Sequence, residues 1–446
     1  MWFSRAIRSS KLFLYAYFAL LMLSGGLILW LLPTWDGEGE LGFLDALFTS
    51  VSAVAVTGLI TVNTASYTPT GQTIVLVLIQ LGGLGIIAFS TMQLRRLGHR
   101  ISLRRRAVIT EYYVGSVEHD PRRILRNIIL STFAIEAVLV AALLPAFVGR
   151  GIERPVFTAV FHAVSAFCNA GFSTFADGLE GFAGEAAITV PIMAGLVLGG
   201  LGFVVYQDLA HRVTRRRHVL SLHTKVVLTS TAGLIGLGFV VFFFVEGGSA
   251  FADMAMHDRA LAALFQSVTP RTAGFNTVAQ ASLSEPGTVL TMVFMFVGGA
   301  PGSIAGGVKV TTVFVIVWAA LGGTDDSGDA RLFHRKVSAP FVARATMFFV
   351  RALMILAIGL FALALTEVVV AGKAFSLRDL SFETFSAFGT VGLSTGITGN
   401  LSPAGKLVII ATMFAGRVGL ISLAVPSTGK RWRSLIDYPT GEVLIG

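Results

Sequence analysis

The sequence predicts an all-α integral membrane protein of eight transmembrane helices, arranged as four pseudo-repeats. Three observations predict this class: an apolar composition, regularly spaced apolar segments, and two motifs that recur four times in the same order. Of the 446 residues, 54% are apolar and 13% are charged, with a mean hydropathy of +0.77. Because soluble chains carry about 25% charged residues, this composition indicates a lipid bilayer as the main solvent.

Eight apolar segments are long enough, at about 20 residues each, to cross a bilayer. They lie near residues 12–32, 71–93, 128–148, 186–206, 226–245, 288–318, 346–371 and 405–425. The first follows Arg5, Arg8 and Lys11, as the apolar part of a signal peptide would. Its apolar run is too long for a signal peptide, and no small-residue cleavage site precedes Pro33. We therefore interpret it as a retained first helix.

A motif of small residues that ends in a glycine and an apolar residue lies between the two helices of each predicted pair. Its four copies are residues 52–59, 165–172, 268–275 and 386–393. They recur at intervals of roughly 100 to 120 residues, which indicates an internal repeat. The apolar stretch before each copy has about 15 residues, too few for a crossing helix at about 1.5 Å per residue. We expect this stretch to enter the membrane and return on the same side.

A second, glycine-rich motif follows each copy. Its four versions start at Gly82, Gly199, Gly298 and Ala415. We interpret them mainly as close-packing surfaces between helices. The repeats are then predicted as 1–93, 94–206, 207–318 and 319–446, of which only the third has a broken second helix. Each repeat would contain a helix, a re-entrant pore helix with its loop, and a second helix, and the four would surround a central pore.

Basic residues predict the orientation. Of the 34 lysines and arginines, 25 fall in segments that this topology places on one side, namely 1–11, 94–126, 207–225, 331–351 and 430–433. The positive-inside rule then puts both termini in the cytoplasm, and the pore loops enter from outside. Topology thus explains the pI of about 10.0, and no nucleic-acid partner is predicted. The basic loop 95–126 could also dock an acidic cytosolic protein.

Acidic residues accompany the pore loops on the opposite side. They could concentrate cations at a pore mouth or simply be solvated. The residues concerned are Asp36, Glu38, Glu40, Asp45, Asp177 and Glu180.

Four loops of small residues around one axis would suit a monovalent cation. Non-helical backbone at membrane depth is tolerated where it is buried in protein or lines a water-filled cavity, and rings of carbonyl oxygens can replace the hydration shell of an ion. Glycine lacks Cβ and reaches positive φ, which lets the carbonyls before it point inward. The C-terminal end of each short helix would add about −0.5 charge.

Other chemistry lacks support in the sequence. No His, Asp, Glu or Cys cluster has metal-ligand spacing, and no Ser/His/Asp set falls within a motif. The single cysteine, Cys168, excludes an internal disulfide. An intramembrane enzyme would need a paired nucleophile and base, and a structural scaffold would have no use for four such loops. We therefore predict no enzyme activity and no organic cofactor in this chain.

The motifs resemble those of the Trk/Ktr/HKT superfamily of potassium transporters. Residues 50–59, 166–172, 271–277 and 388–396 are similar to its four filter loops, and the resemblance covers essentially the whole chain. Eight spans, a short N-terminus and the ending 438–446 most resemble the membrane subunit of the bacterial Ktr system. The glycine-tyrosine-glycine signature of tetrameric potassium channels is absent, which predicts a simpler filter.

The resemblance implies which main-chain carbonyls bind K⁺. It assigns one filter glycine to each repeat, and the two residues before each glycine complete the predicted ion site. These residues are Val56, Thr57, Gly58, Asn169, Ala170, Gly171, Thr272, Ala273, Gly274, Thr390, Val391 and Gly392.

The resemblance also implies passive, regulated K⁺ uptake across the bacterial inner (plasma) membrane, with Na⁺ as an activator. It implies a homodimer that rests on a cytosolic nucleotide-binding ring. This chain has no G-x-G-x-x-G in a βαβ setting, so a nucleotide site would belong to that partner. The alternative is an ion-coupled (Na⁺ or H⁺) secondary K⁺ symporter. Such folds usually have inverted repeats, whereas these four repeats run in the same orientation.

A glycine-rich stretch, 298–307, interrupts the longest apolar segment. Glycine costs about 1 kcal/mol and proline about 3 kcal/mol in a helix interior relative to alanine, so five glycines and Pro301 predict a break. The break resembles the family's intramembrane gating loop; a packing kink is the alternative. Lys309 at its end belongs to the gate or is structural. The predicted gate residues of this loop are Gly298, Gly299, Gly302, Ser303, Gly306, Gly307 and Lys309.

Arg417 is the second predicted gate residue. It stands where the other repeats have leucine or alanine, at a depth where arginine costs about 2.5–3.5 kcal/mol on insertion scales. It should therefore face the bundle interior beneath the filter, against the ends of the pore helices; snorkelling is the alternative. The family pattern carries an arginine at the matching position. Glu136 lies within another span and has two interpretations. It is either a carboxylate of the pore or of an interface, or a residue that packs against a polar group.

Overall fold

The computed structural model describes residues 10–98, 121–214, 219–322, 324–325 and 328–419. The predicted orientation of both termini, much of the basic loop and the ending 438–446 lie outside the described residues. Fourteen α-helices run through the described chain. In chain order α1 to α14 they are Ser10–Leu31, Phe43–Ala55, Pro69–Gly98, Pro121–Gly149, Pro155–Phe167, Ala186–Leu201, Phe203–Thr214, Leu222–Val245, Met256–Val268, Glu285–Phe296, Val310–Gly322, Ala339–Ala364, Leu377–Gly389 and Pro403–Phe414.

Two π-helical segments extend this list, Leu365–Val370 after α12 and Ala415–Gly419 after α14. The only strands in the described residues are β1 (Ala330–Leu332) and β2 (Arg335–Val337), which form an antiparallel hairpin between α11 and α12. The tip residues Phe333 and His334 both have positive φ, as a tight two-residue hairpin turn requires. Lys336 pairs with the Asp329 carboxylate at the base of the hairpin, and this contact lowers the pKa of Asp329.

The long helices have the surface expected of membrane spans. Among the described residues, four helical segments are long and apolar enough to cross a bilayer: Leu14–Leu31, Leu125–Gly149, Leu222–Gly248 and Ala339–Val370. They bear large exposed apolar side chains such as Leu20, Val138, Phe244 and Phe361, which in a bilayer would face lipid. The bent pair α6 and α7 could form a fifth span. The all-α membrane class is thus confirmed, while the count of eight spans stays a prediction.

Four short helices, α2, α5, α9 and α13, lie at the centre of the molecule. Each has 13 residues and carries a completely buried phenylalanine, namely Phe48, Phe161, Phe265 and Phe382. Each packs against the long helix that precedes it, and α14 packs against α2. The last part of the chain therefore closes onto the first.

Local sequence explains where the helices begin. Ser376, Ser284 and Ser402 precede α13, α10 and α14, and the hydroxyl of each accepts a hydrogen bond from a main-chain N–H in the first turn. Pro403 occupies the first turn of α14, where its missing N–H removes no helical bond. These caps satisfy donors that would otherwise be unpaired at a helix end.

Glycines of the second motif let helices approach the ends of the short helices. A methyl group on Gly82 would collide with the carbonyl oxygen of Val54, in the last turn of α2. Gly199 and Gly416 make the same contact with the carbonyls of Phe167 and Phe388. In the third repeat Gly298 instead contacts its own loop, at Gly306.

The predicted break in the third repeat is present, because α10 ends at Phe296 and α11 begins at Val310. The expectation that the other second helices are unbroken is wrong. Helices α6 and α7 meet at 97° at Gly202, which has φ +84°. The glycines of this motif suit close helix packing as well as a bend, so the sequence alone does not indicate this break.

The two breaks bind each other through their main chains. Ala300 donates its N–H to the carbonyl of Gly200 (2.9 Å), and Phe203 donates to the carbonyl of Gly302 (3.3 Å). Main-chain groups freed inside one helix thus find partners in the other. Such mutual pairing permits irregular backbone at membrane depth.

Candidate ion site and gate

The loop after each short helix has the same unusual backbone conformation. The residue two before each predicted filter glycine has positive φ, and so does the glycine itself; the pairs are Val56 (55°) and Gly58 (93°), Asn169 (57°) and Gly171 (69°), Thr272 (66°) and Gly274 (79°), and Thr390 (49°) and Gly392 (101°). Valine and threonine rarely adopt positive φ, because their branched side chains crowd the backbone. Strain of about 1–3 kcal/mol per residue persists only where the surroundings impose it, and it clusters at functional sites.

The four glycines surround one axis. A methyl group on Gly171 would lie 2.7 Å from the Cα of Gly274 and 2.8 Å from the carbonyl oxygen of Ala273. Corresponding contacts join the remaining copies in cyclic order: Gly58 meets the carbonyl of Ala170, Gly274 that of Val391, and Gly392 that of Thr57. The structure thus brings together all four predicted glycines and the carbonyls immediately before them.

Hydroxyl groups on the short helices hold these loops. Ser52 accepts a hydrogen bond from the N–H of Gly58, and Ser386 accepts one from the N–H of Gly392, both at 3.0 Å. Ser165 donates to the carbonyl of Phe172 at 2.8 Å, and Thr269 donates to the carbonyl of Phe275. The sequence predictions missed this role. The sequence does contain a signal for it, because a serine stands six residues before Gly58, Gly171 and Gly392.

Three threonines of the predicted site have buried hydroxyls without a hydrogen-bond partner among the described residues: Thr57, Thr272 and Thr390. Buried polar groups are almost always satisfied, so these hydroxyls suit a region that holds ions or water. Asn169 differs, because its side-chain amide, oriented to donate, reaches the carbonyls of Ala166 and Leu196 at 3.1 Å. Asn169 can therefore face the axis only through its main chain.

The predicted gate loop is an ordered non-helical segment beside the ring. Gly298 donates to the carbonyl of Val308 at 2.9 Å, which closes the base of the loop. Gly306 lies so close to the fourth copy that a methyl group on it would be 2.8 Å from the carbonyl oxygen of Gly389 and would collide with Thr390. The loop is thus in contact with the end of α13.

Other predicted gate residues have contacts within the same loop or with the α6–α7 bend. A methyl group on Gly299 would lie 2.9 Å from the carbonyl oxygen of Gly200, and Gly302 has open space around it at φ +77°. Ser303 donates to the carbonyl of Ala300 at 2.6 Å. Lys309 donates to the carbonyl of Ala305 at 2.6 Å and so ties the end of the loop to its own middle.

Among the described residues, Arg417 is the largest fully buried side chain, with 2% of its surface exposed. Its Nη1 donates to the carbonyl oxygen of Ile304, in the glycine-rich loop. Its Nε and Nη2 atoms have no partner among the described residues. This burial contradicts the snorkelling alternative. The hydrogen-bond partner is the loop rather than a short-helix carbonyl, although the adjacent Gly416 does contact the end of α13.

Glu136 packs against polar groups. Gln80 donates from its side chain to the Glu136 carboxylate at 3.3 Å, and the Cys168 thiol donates to the Gln80 carbonyl oxygen at 3.3 Å. This chain of contacts links α4 to the end of α5 through α3. No group of three or more potential metal-ligating His, Cys, Asp or Glu side chains occurs in the described part of the chain.

Several known proteins are similar to this chain. A family described as TrkH, cation transport protein, matches residues 5–433. The chain is 36% identical over 425 residues to the Ktr system potassium uptake protein B of Bacillus subtilis, covering 94% of this chain and 93% of that protein. It is 35% identical over 439 residues to the potassium/sodium uptake protein NtpJ of Enterococcus hirae, covering 97% and 96%.

A solved structure has the same fold. The potassium transporter TrkH from Vibrio parahaemolyticus superposes with a TM-score of 0.73 at 21% identity, covering 96% of this chain and 86% of that one.

Proposed function

The chain belongs to the TrkH family of cation transport proteins, and from this premise we propose that it is a passive, regulated pathway for K⁺ uptake. The observation that carries the proposal is the cyclic contact of the four glycines with the carbonyls of the neighbouring copies. Carbonyl rings of this kind can replace the water around a dehydrated cation. The relatives named above are uptake proteins for potassium or for potassium and sodium, and none is named as an enzyme.

We assign K⁺ coordination to main-chain carbonyls of the twelve predicted filter residues. The positive φ values at two positions in each copy support this assignment, since a strained backbone shared by four loops indicates a shared function. The buried C-terminal ends of the four short helices supply partial negative charge near the axis, which favours a cation over an anion.

The proposed topology has eight spans in four repeats, 1–93, 94–206, 207–318 and 319–446, with both termini in the cytoplasm. In this arrangement α2, α5, α9 and α13 are the re-entrant pore helices. Their short length and the burial of their C-terminal halves support the assignment.

The proposed gate consists of loop 298–307, Lys309 and Arg417. A buried guanidinium on the pathway repels cations, and its contact with the carbonyl of Ile304 couples its position to that of the loop. The loop also contacts Gly389 and Thr390. Movement of the loop would therefore displace the Arg417 guanidinium and, at the same time, open space beneath the filter.

The proposed assembly is a homodimer with a cytosolic nucleotide-binding ring as regulatory partner, and Na⁺ is a proposed activator. The names of two relatives support K⁺ as the cargo, and one of them also names sodium. The filter and gate assignments concern this chain alone and do not depend on the partner.

Uptake into liposomes tests the proposal. The full chain is reconstituted with an inside-negative potential, no Na⁺ and equal pH on both sides, and ⁸⁶Rb⁺ entry is measured. A passive pathway takes up Rb⁺, driven by about 2.3 kcal/mol per charge per 100 mV. An ion-coupled symporter, by contrast, moves its coupling ion together with Rb⁺: a Na⁺ symporter stays inactive without Na⁺, and an H⁺ symporter acidifies the liposome lumen as Rb⁺ enters. Restored growth of potassium-uptake-deficient cells at low K⁺ gives the cellular measurement.

A further inference from the structure

A second layer of polar side chains lies behind the candidate ion site. Each short helix carries one polar residue three positions before the hydroxyl that holds its loop. These residues are Thr49, His162, Gln266 and Glu383, and all four are completely buried. Four polar residues at one structural position in a protein interior call for a common explanation.

Each of the four side chains bonds the chain segment that leaves the filter. Thr49 accepts a hydrogen bond from the Tyr67 hydroxyl at 3.1 Å. Gln266 and Gln280 exchange side-chain amide hydrogen bonds at 2.9 and 3.3 Å. In the first and third copies, the hydrogen bond thus joins the short helix to a residue well beyond the filter loop.

The second and fourth copies are tied closer to the filter. His162 has its Nε2 3.0 Å from the hydroxyl of Ser173, which is two residues after Gly171. The Glu383 carboxylate accepts hydrogen bonds from Ser394, two residues after Gly392, and from Thr398. These two copies face each other across the ring, because the contacts run in the order first, second, third, fourth.

We infer that Thr49, His162, Gln266 and Glu383 are positioning residues for the ion filter, and that Glu383 contributes most to K⁺ over Na⁺ discrimination. This inference rests on the proposed function. Glu383 is the only carboxylate of the four, and it accepts from two hydroxyls of the segment that follows Gly392. Ser386 accepts a hydrogen bond from the N–H of Gly392, and Glu383 accepts one from Ser394, two residues later. The two side chains together hold the filter loop at the glycine and just after it. A carbonyl cage discriminates between ions only if its oxygens keep their positions.

Another buried carboxylate in the same repeat provides a matched control. Glu367 is also completely buried and accepts hydrogen bonds from the N–H and hydroxyl of Ser402. It lies in the π-helical segment after α12, and its partner Ser402 precedes α14, so it is not on a filter helix. Loss of Glu367 should therefore reduce the amount of folded protein without changing the ion preference.

The test compares Glu383→Ala, Glu383→Gln and Glu367→Ala with the parent chain in liposomes. The readout is the ratio of ⁸⁶Rb⁺ to ²²Na⁺ uptake, which does not depend on how much folded protein is present. We expect Glu383→Ala to lower the ratio about tenfold, the effect of roughly one lost buried hydrogen bond to a charged group. Glutamine retains one acceptor oxygen, so Glu383→Gln should stay within about twofold of the parent. Glu367→Ala should leave the ratio unchanged.

Ser394→Ala provides a second measurement if Glu383→Ala does not fold, because it removes one donor and leaves the carboxylate in place; we expect a lower ratio here too. An unchanged ratio in Glu383→Ala or, where that variant does not fold, in Ser394→Ala overturns the inference while the proposed function stands. An equal loss of discrimination in Glu367→Ala overturns it as well. A parent chain that takes up neither ion would overturn the proposed function and this inference together.

Discussion

Gly392 lies against the carbonyl oxygen of Thr57, so the last copy of the repeated loop closes directly onto the first. The same junction has a side-chain contact, because Lys406 on α14 donates to Asp45 on α2 at 2.6 Å. Closure by both main chain and side chains explains how one continuous polypeptide forms a ring.

Gly274→Ser should weaken discrimination between K⁺ and Na⁺. At φ +79° a residue other than glycine is strained by about 1–2 kcal/mol, and its Cβ would collide with the carbonyl of Val391. Na⁺ should then compete more strongly with ⁸⁶Rb⁺ uptake. Gly372→Ser is the matched control, because Gly372 also has positive φ (+64°) but no atom near its missing Cβ. Equal Na⁺ competition in the two variants would contradict the filter assignment.

Deletion of residues 301–307 should raise basal Rb⁺ flux. The deletion removes Ile304, which binds Arg417, and Gly306, which contacts the end of α13. Flux is measured per folded molecule in liposomes after size-exclusion chromatography. A well-folded deletion variant that is no faster than the parent would mean that the loop is a packing kink.

Arg417→Gln should increase the uptake rate, while Arg417→Lys should stay near the parent rate. Glutamine removes the positive charge from the pathway, whereas lysine keeps it. A tenfold increase would correspond to about 1.4 kcal/mol, well within the repulsion between like charges at close range. Initial ⁸⁶Rb⁺ uptake at fixed membrane potential provides the measurement, and equal rates in all three proteins would assign Arg417 a purely structural role.

Lys406→Met should lower the stability of the folded chain. Its partner Asp45 would remain partly buried, with 23% of its side chain exposed and no cation beside it. We expect a cost of roughly 1–3 kcal/mol, between the values for exposed and fully buried pairs. Thermal unfolding in detergent measures it. In a double-mutant cycle, Asp45→Asn should recover part of the loss; strictly additive losses would show that the pair does not stabilise the ring closure.

Acid should loosen the β1–β2 hairpin. Lys336 lowers the pKa of Asp329 in the folded chain. The ionised Asp329 carboxylate therefore stabilises the hairpin fully above its unfolded-state pKa of about 3.9. This stabilisation is lost as the pH falls through the lower folded-state pKa. Pepsin cleavage near Phe333, which is exposed at the tip, should therefore increase as the pH falls below about 4. Asp329→Asn should show rapid cleavage already at pH 4 and little further change below it. A parent profile identical to that of Asp329→Asn would contradict the role of the carboxylate.

The location of the repeated loops could be predicted because it depends on local pattern. Four glycines after short apolar segments indicate tight turns at membrane depth whatever their partners are. The break at 298–307 was predictable for the same reason, since glycine and proline destabilise a helix through their own backbone properties. The bend at Gly202 was not predictable, because the same glycine motif leaves α3 unbroken at Gly82 and Gly83.

By itself, the sequence determined the membrane class, the fourfold repeat and the glycines that meet at the axis. Composition, periodicity and glycine content are properties of short stretches, and they need no knowledge of distant contacts. Only the tertiary structure decided which groups hold the ring and the glycine-rich loop: Glu383 with Ser394 and Thr398 in the ring, and Arg417 with the carbonyl of Ile304 in the loop. A buried polar side chain depends on the partner within hydrogen-bond reach, and here folding brings that partner into place from another turn, loop or repeat.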